Sequence, residues 1–243
     1  MKYPHRQPFN AHLRSEYDPL LLKDRQRLKK ASQLKSALAS AGLWIEQARI
    51  LDVGCGSGLI LAALNHGVLL KVGCDLRTGL YLQAGAKVGS VNFIQSDAIT
   101  LPFADGCFDM VLCLATIEEF GNWQLALQEM SRLVSSGGIL YLTVTNGVFL
   151  EPVYTFAKKI GFHIPQSWWV YARNSLPILS SQPEAGMGIH TLGGWQFTNI
   201  TPHLARTVWP WLHLIPLRLL VCLTRYLTPS FAYAWKRPGK DDE

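Results

Sequence analysis

The chain lacks any Cys-x-x-Cys pair: its five cysteines, Cys55, Cys74, Cys107, Cys113 and Cys222, stand apart, and their number is odd. No metal site is expected from them, and such usage suits a reducing compartment better than a disulfide framework. The opening stretch, "MKYPHRQPFNAHLRSEYDPLLLKDRQ", holds no apolar run of signal-peptide length, so a cytoplasmic protein is expected. Internal repeats and low-complexity segments are absent too. Basic residues outnumber acidic ones at both flanks. Residues 1–35 hold nine basic side chains and three acidic ones, residues 151–243 nine and five, while residues 36–150 hold five and nine. Basic arms of this kind can face nucleic acid, an anionic membrane surface or an acidic substrate, or simply water.

What is present is ample apolar material, 49% of 243 residues, enough for one α/β domain with an appendage or for two small domains. Asp18-Pro19 has the form of a helix start, and "LLLKDRQRLKKASQLKSALASAG" continues without a breaker to Gly42. Leu21, Leu28 and Leu38 should pack on the domain while Lys29 and Lys30 face water. Apolar runs of strand length follow at 49–53, 70–75, 91–94, 108–114 and 139–145. Between the last two, Trp123, Leu127, Met130 and Val134 recur at helical spacing, and Gly137-Gly138 is expected to stop that helix. Strands alternating with helices predict a mostly parallel sheet with right-handed crossovers.

"LDVGCGSG" places Gly54, Gly56 and Gly58 between a strand and a helical stretch, where glycine permits a tight turn and close approach of a ligand to the backbone. The dinucleotide fingerprint G-x-G-x-x-G is incomplete, because Leu59 occupies its third glycine position. Asp52 precedes the glycines. Asp75, at the end of the second strand, can accept hydrogen bonds from both hydroxyls of a ribose. After the third strand, Asp97 can accept from the exocyclic amine of an adenine while Ala98 supplies a backbone N–H.

With "ILDVGCGSG", "VGCDL", "IQSDAITLPFADGCFDMVLCLATIEEF" and "LQEMSRLVSSGGILYLTVTN" in this order, the stretch 49–147 resembles class I S-adenosylmethionine-dependent methyltransferases, in particular the type 11 or UbiE/COQ5-like small-molecule branch. The resemblance implies an α/β Rossmann-like sheet, mostly parallel with helices on both faces. It implies S-adenosylmethionine as cofactor, with Asp52, Gly54, Cys55, Gly56 and Gly58 holding its methionyl part. Asp75 and Leu76 would hold the ribose, Asp97 and Ala98 the adenine, and the Leu114 carbonyl the amino group. Glu119 stands where many members of that branch have histidine, so a histidine base from that loop is not expected. Glu118, Glu119, His163 and His190 are the candidate bases, Glu119 and His190 foremost; Tyr17 is a candidate cap on the cofactor. The family's antiparallel C-terminal strand pair has no clear counterpart, and "IHTLGGWQFTNI" is the best stand-in.

The expected organisation is a basic arm and helix over 1–42, a cofactor-binding core over 43–150, and a Trp/Pro-rich elaboration over 151–243 that forms an acceptor lid or a membrane-facing region. The expected reaction is methyl transfer to an oxygen or carbon of a small lipophilic or aromatic acceptor, the alternative being a non-catalytic methyltransferase-like scaffold. No nucleic-acid partner is expected, since neither an Asn/Asp-Pro-Pro-aromatic motif nor a Pro-Cys nucleophile is present. "VWPWLHLIPLRLLVCL", 208–223, is too interrupted by Pro210, Pro216 and Arg218 to span a bilayer. Its surroundings, 204–237, carry five basic residues and no acid, and are expected to pack as core or to lie on the inner face of a membrane.

Overall fold

A computed structural model describes residues 24–64, 67–77, 82, 90–163, 175, 194–208 and 230–239. Its elements in chain order are α1 (Asp24–Ser40), β1 (Ala48–Val53), α2 (Leu59–Ala63), β2 (Val68–Asp75), β3 (Asn92–Gln95), β4 (Phe108–Leu114), a 3-10 turn (Ile117–Glu119), α3 (Trp123–Leu133), β5 (Val134–Thr145), α4 (Gly147–Lys159), β6 (Gln196–Asn199), α5 (Thr201–Val208) and β7 (Ser230–Lys236). The strands form one sheet in the order β3-β2-β1-β4-β5-β7-β6. β1 to β5 pair in parallel, and β7 runs antiparallel to both β5 and β6.

Alternation along the strands divides the core. Ile50, Met110, Leu112, Ile139, Tyr141, Ala232 and Ala234 belong to the apolar layer that contains Ala31, Leu34, Ala37 and Leu38 of α1. Leu51, Val111, Cys113, Leu140, Leu142, Phe231, Tyr233 and Trp235 belong to the opposite layer, with Trp123, Ala126, Leu127 and Met130 of α3. Both faces of the sheet are therefore covered, which is why the strands read as continuous apolar runs rather than alternating ones. The expected mostly parallel Rossmann-like sheet is the fold observed.

Four local expectations change. The strand pair with no clear counterpart in sequence exists: β6 falls inside "IHTLGGWQFTNI", and β7 is "SFAYAWK". The helix over 123–134 ends one residue earlier, at Leu133, because Val134 turns extended and pairs with Phe108 as the first residue of β5. Gly137-Gly138 thus lies inside a strand rather than after a helix. Gly137 has φ 74°, and a Cβ on Gly138 would come within 2.9 Å of the carbonyl oxygens of Asp109 and Ser135, so this irregular stretch requires both glycines. Leu28 lies 56% exposed instead of packing, and Ala31, Leu34 and Leu38 carry the buried face of α1. Lys29 and Lys30 are exposed as expected.

Of the stretch 204–237, Phe231 to Trp235 are buried in the sheet, and the Arg237 guanidinium donates to the Val134 carbonyl at 2.6 Å. That part is core and does not face a membrane. Residues 209–229 lie outside the described residues. Among the described residues no helix is long and apolar enough to cross a membrane.

Candidate active site

The carboxyl ends of β1, β2 and β4 bring three loops together. β1 lies between β2 and β4, so the glycine turn after β1 is flanked by Asp75 on one side and by the segment 114–119 on the other. The N–H groups of Gly54 and Cys55 both donate to the Cys74 carbonyl, at 2.7 and 3.0 Å, fastening this turn to β2. Gly54 has φ 76°, and a Cβ there would lie 2.3 Å from Cγ2 of Thr116. Glycine is needed both for the turn and for the approach of Thr116. The Thr116 hydroxyl sits 3.2 Å from the Gly54 carbonyl and 3.0 Å from the Leu114 carbonyl. Gly58 adopts φ 72° and starts α2.

Asp75 is buried, and its two carboxylate oxygens accept the N–H groups of Gly56 and Arg77, each at 2.9 Å. The Arg77 guanidinium lies 3.7 Å from Asp75 and 3.3 Å from Glu119, so an acid-base-acid chain joins the loop after β2 to the loop after β4. Ser96 N–H donates to the Asp75 carbonyl, which sets the Asp97 turn beside Asp75. Asp97 is exposed, and its carboxylate accepts the Ile99 N–H; Ala98 is buried. Leu76 is exposed, and its carbonyl accepts from the Gln95 side chain.

Asp52 is 3% exposed, and its Oδ1 has no hydrogen-bond partner. Burial, reinforced by the charge of Asp75, pushes its carboxyl up to about 8. Burial pushes the neighbouring Cys74 thiol up to about 12 and the Cys55 and Cys113 thiols up as well, so none of the three is an activated nucleophile. Glu118 is buried; one carboxylate oxygen accepts the Thr145 N–H, and burial holds its carboxyl above the usual range. Glu119 is tied to Arg77. His163 is exposed after α4, while His190 and Tyr17 lie outside the described residues.

The structure therefore gathers Asp52, Gly54, Cys55, Gly56, Gly58, Asp75 and Leu114 at one sheet end, with Leu76, Asp97 and Ala98 at its β2–β3 side. Sequence reasoning missed Thr116 and Arg77. Arg77 had a signal, a lone cation two residues after the strand-end acid; Thr116 had only its place after β4. Two buried acids at this sheet end suit a cationic ligand with hydroxyl groups, because a buried acid with an unpaired oxygen, as in Asp52, gains most from a positive partner. Among the described residues no cluster of His, Cys, Asp and Glu could hold a metal ion.

Comparison with known proteins fits this geometry. A family model described as a methyltransferase domain matches residues 51–142. The chain is 33% identical over 141 residues to demethylmenaquinone methyltransferase of Corynebacterium kroppenstedtii, with 56% of each chain covered. It is 29% identical over 155 residues to the malonyl-acyl-carrier-protein O-methyltransferase of Erwinia pyrifoliae, covering 63% of this chain and 56% of that one. The chain spans about half the length of the curated relatives it matches. Among solved structures it shares the fold of plantazolicin methyltransferase BpumL, in complex with a pentazolic desmethylPZN analog and S-adenosylhomocysteine (SAH), at TM-score 0.63 and 15% identity, covering 96% of this chain and 92% of that one. A putative S-adenosylmethionine-dependent methyltransferase from Methanococcus maripaludis matches at TM-score 0.59 and 14% identity, covering 99% and 97%.

Proposed function

We propose, from the match of residues 51–142 to a methyltransferase-domain family model, that this chain transfers a methyl group from S-adenosylmethionine to an oxygen or carbon of a small lipophilic acceptor. The observation that carries the reading is Asp52, buried beside Asp75 with one carboxylate oxygen unpaired. An orphaned buried acid is costly unless a ligand satisfies it, and S-adenosylmethionine is a cation. The residues present fit that group. Asp52 and the Gly54–Gly58 turn would hold its methionyl end, Asp75 its ribose, and Asp97 with Ala98 its adenine.

The cofactor brings a methyl already activated on a sulfonium, so this chain has positioning as its main task. Thr116 holds the turn after β1 against the end of β4, fixing both walls of the site. Arg77 closes the gap between Asp75 and Glu119. Glu118 is anchored to the start of the segment that leads into α4, and burial holds its carboxyl above the usual range. The lipophilic acceptor is supported by relatives named for demethylmenaquinone methylation, and relatives named as a ubiquinone/menaquinone biosynthesis C-methyltransferase and a malonyl-acyl-carrier-protein O-methyltransferase span the choice between carbon and oxygen.

Calorimetry with S-adenosylmethionine and SAH tests the reading. Both should bind the full chain, and Asp75→Ala should weaken them about tenfold or more, the effect of removing a charged hydrogen-bonding partner. Absence of binding by the intact chain, together with no effect of Asp75→Ala, rules it out.

A further inference from the structure

Helix α4 presents its apolar stripe to solvent. Val153, Phe156 and Ile160 recur at spacings of three and four and are 42%, 64% and 56% exposed, and Phe162 in the following turn is 65% exposed. Leu150, Tyr154 and Ala157, on the adjacent face, are half-buried. A surface helix of a globular domain ordinarily turns such a stripe inward.

The root of the helix is nevertheless firmly set. Asn146, fully buried, caps it by accepting the Phe149 N–H at 3.2 Å, and the Gly147 N–H donates to the Ser175 hydroxyl at 3.1 Å. The outward stripe thus belongs to an anchored element. Its charge has one sign at the free end. Lys158 and Lys159 are exposed on the polar side of its last turn, and over 147–163 the only acid is Glu151, near the root.

We propose that α4 docks on an anionic lipid bilayer through Val153, Phe156, Ile160 and Phe162, with Lys158 and Lys159 on its polar side. An apolar stripe on one side of a helix and lysines on its polar side match an interface of acyl chains and negative headgroups. α4 starts directly after the carboxyl end of β5, the same end of the sheet that carries the Asp52 and Asp75 loops. On the methyl-transfer reading, which this last step rests on, a lipophilic acceptor would enter from the bilayer. The docking itself does not depend on catalysis.

The test is sedimentation of the full chain with phosphatidylcholine vesicles and with vesicles that also contain phosphatidylserine. The expected result is retention on the phosphatidylserine vesicles, released by raising the salt. Phe156→Ser/Phe162→Ser and Lys158→Glu/Lys159→Glu should each cut retention about tenfold or more. All four residues are exposed, so circular dichroism should match the parent. The proposal is overturned if the parent stays in solution with phosphatidylserine vesicles, or if both variants pellet as it does. It is also overturned if sedimentation velocity shows a dimer that Phe156→Ser separates, which assigns the face to a second copy. SAH binding, measured on the same samples, keeps the two readings apart: vesicle retention without SAH binding supports docking and counts against methyl transfer alone.

Discussion

Burial leaves Asp52 holding its proton up to about pH 8, and the charge of Asp75 adds to the effect. In the unfolded chain an aspartate titrates near about 3.9, so the folded value is raised. The contribution of this group to stability is then full below pH 4 and is lost as pH rises through about 8. A cation bound beside Asp52 reverses the preference and expels the proton. At pH 7, calorimetry in buffers of different ionisation heat should therefore show up to about one proton released per S-adenosylmethionine bound. Asp52→Asn should remove the buffer dependence, and a parent protein that shows none defeats the assignment. Gly54 is equally constrained, by geometry instead of charge. Gly54→Ala meets both a positive φ and the Thr116 side chain, so it should lower the melting temperature and weaken SAH binding about tenfold or more through the displaced turn. An unchanged affinity would show that the turn does not seat the ligand.

Between elements, the Arg49–Asp109 pair joins the start of β1 to β4. Asp109 accepts from the Arg49 backbone N–H at 2.9 Å and from its guanidinium at 3.0 and 2.8 Å, and the Ser135 hydroxyl of β5 adds a further bond at 3.0 Å. These bonds, those from Arg49 foremost, hold the Asp109 carboxyl down at about 2. Its contribution to stability is present above pH 4 and disappears as pH falls through about 2. Asp109→Asn should cost about 1–2 kcal/mol at neutral pH, read as a lower midpoint in urea, and the difference from the parent should shrink below pH 4. A constant difference across that range would contradict it.

The same scale shows what the sequence discloses. Strands β1, β2, β4 and β5 were legible because burial on both faces writes them as unbroken apolar runs. β7 was not, although Phe231, Tyr233 and Trp235 alternate with Ala232 and Ala234: the tryptophan- and proline-rich composition around it drew attention away from a period of two. The start of β5 was misread for a different reason, since a glycine pair serves a helix stop and a strand bulge equally well. At the site, Asp52, Asp75 and the glycines were visible because their spacing follows the strands. Thr116 and Arg77 matter through contacts across the sheet, which no local pattern records.

At the scale of the molecule, the likeness to solved methyltransferase structures extends over more than nine-tenths of the chain, well beyond residues 51–142. The fold continues where the sequence match stops, because β6 and β7 complete the sheet. A ligand that binds the folded chain at a hundred times its dissociation constant stabilises it by about 2.7 kcal/mol. For a domain of this size, SAH at that excess should raise the melting temperature by roughly 5–10 °C. A shift near zero at saturation would mean that the site is not coupled to the fold.

The strand order also sets a timetable for synthesis. β6 reaches the sheet only through β7, and β7 leaves the ribosome after the residues between Asn199 and Ser230. At about 5–20 residues per second, that interval lasts roughly 2–6 s. Throughout it β5, with Leu140 and Leu142 already made, presents an unpaired edge in the nascent chain. Slow codons between β6 and β7 should therefore lower soluble yield, and a chaperone that holds exposed strand edges should restore it.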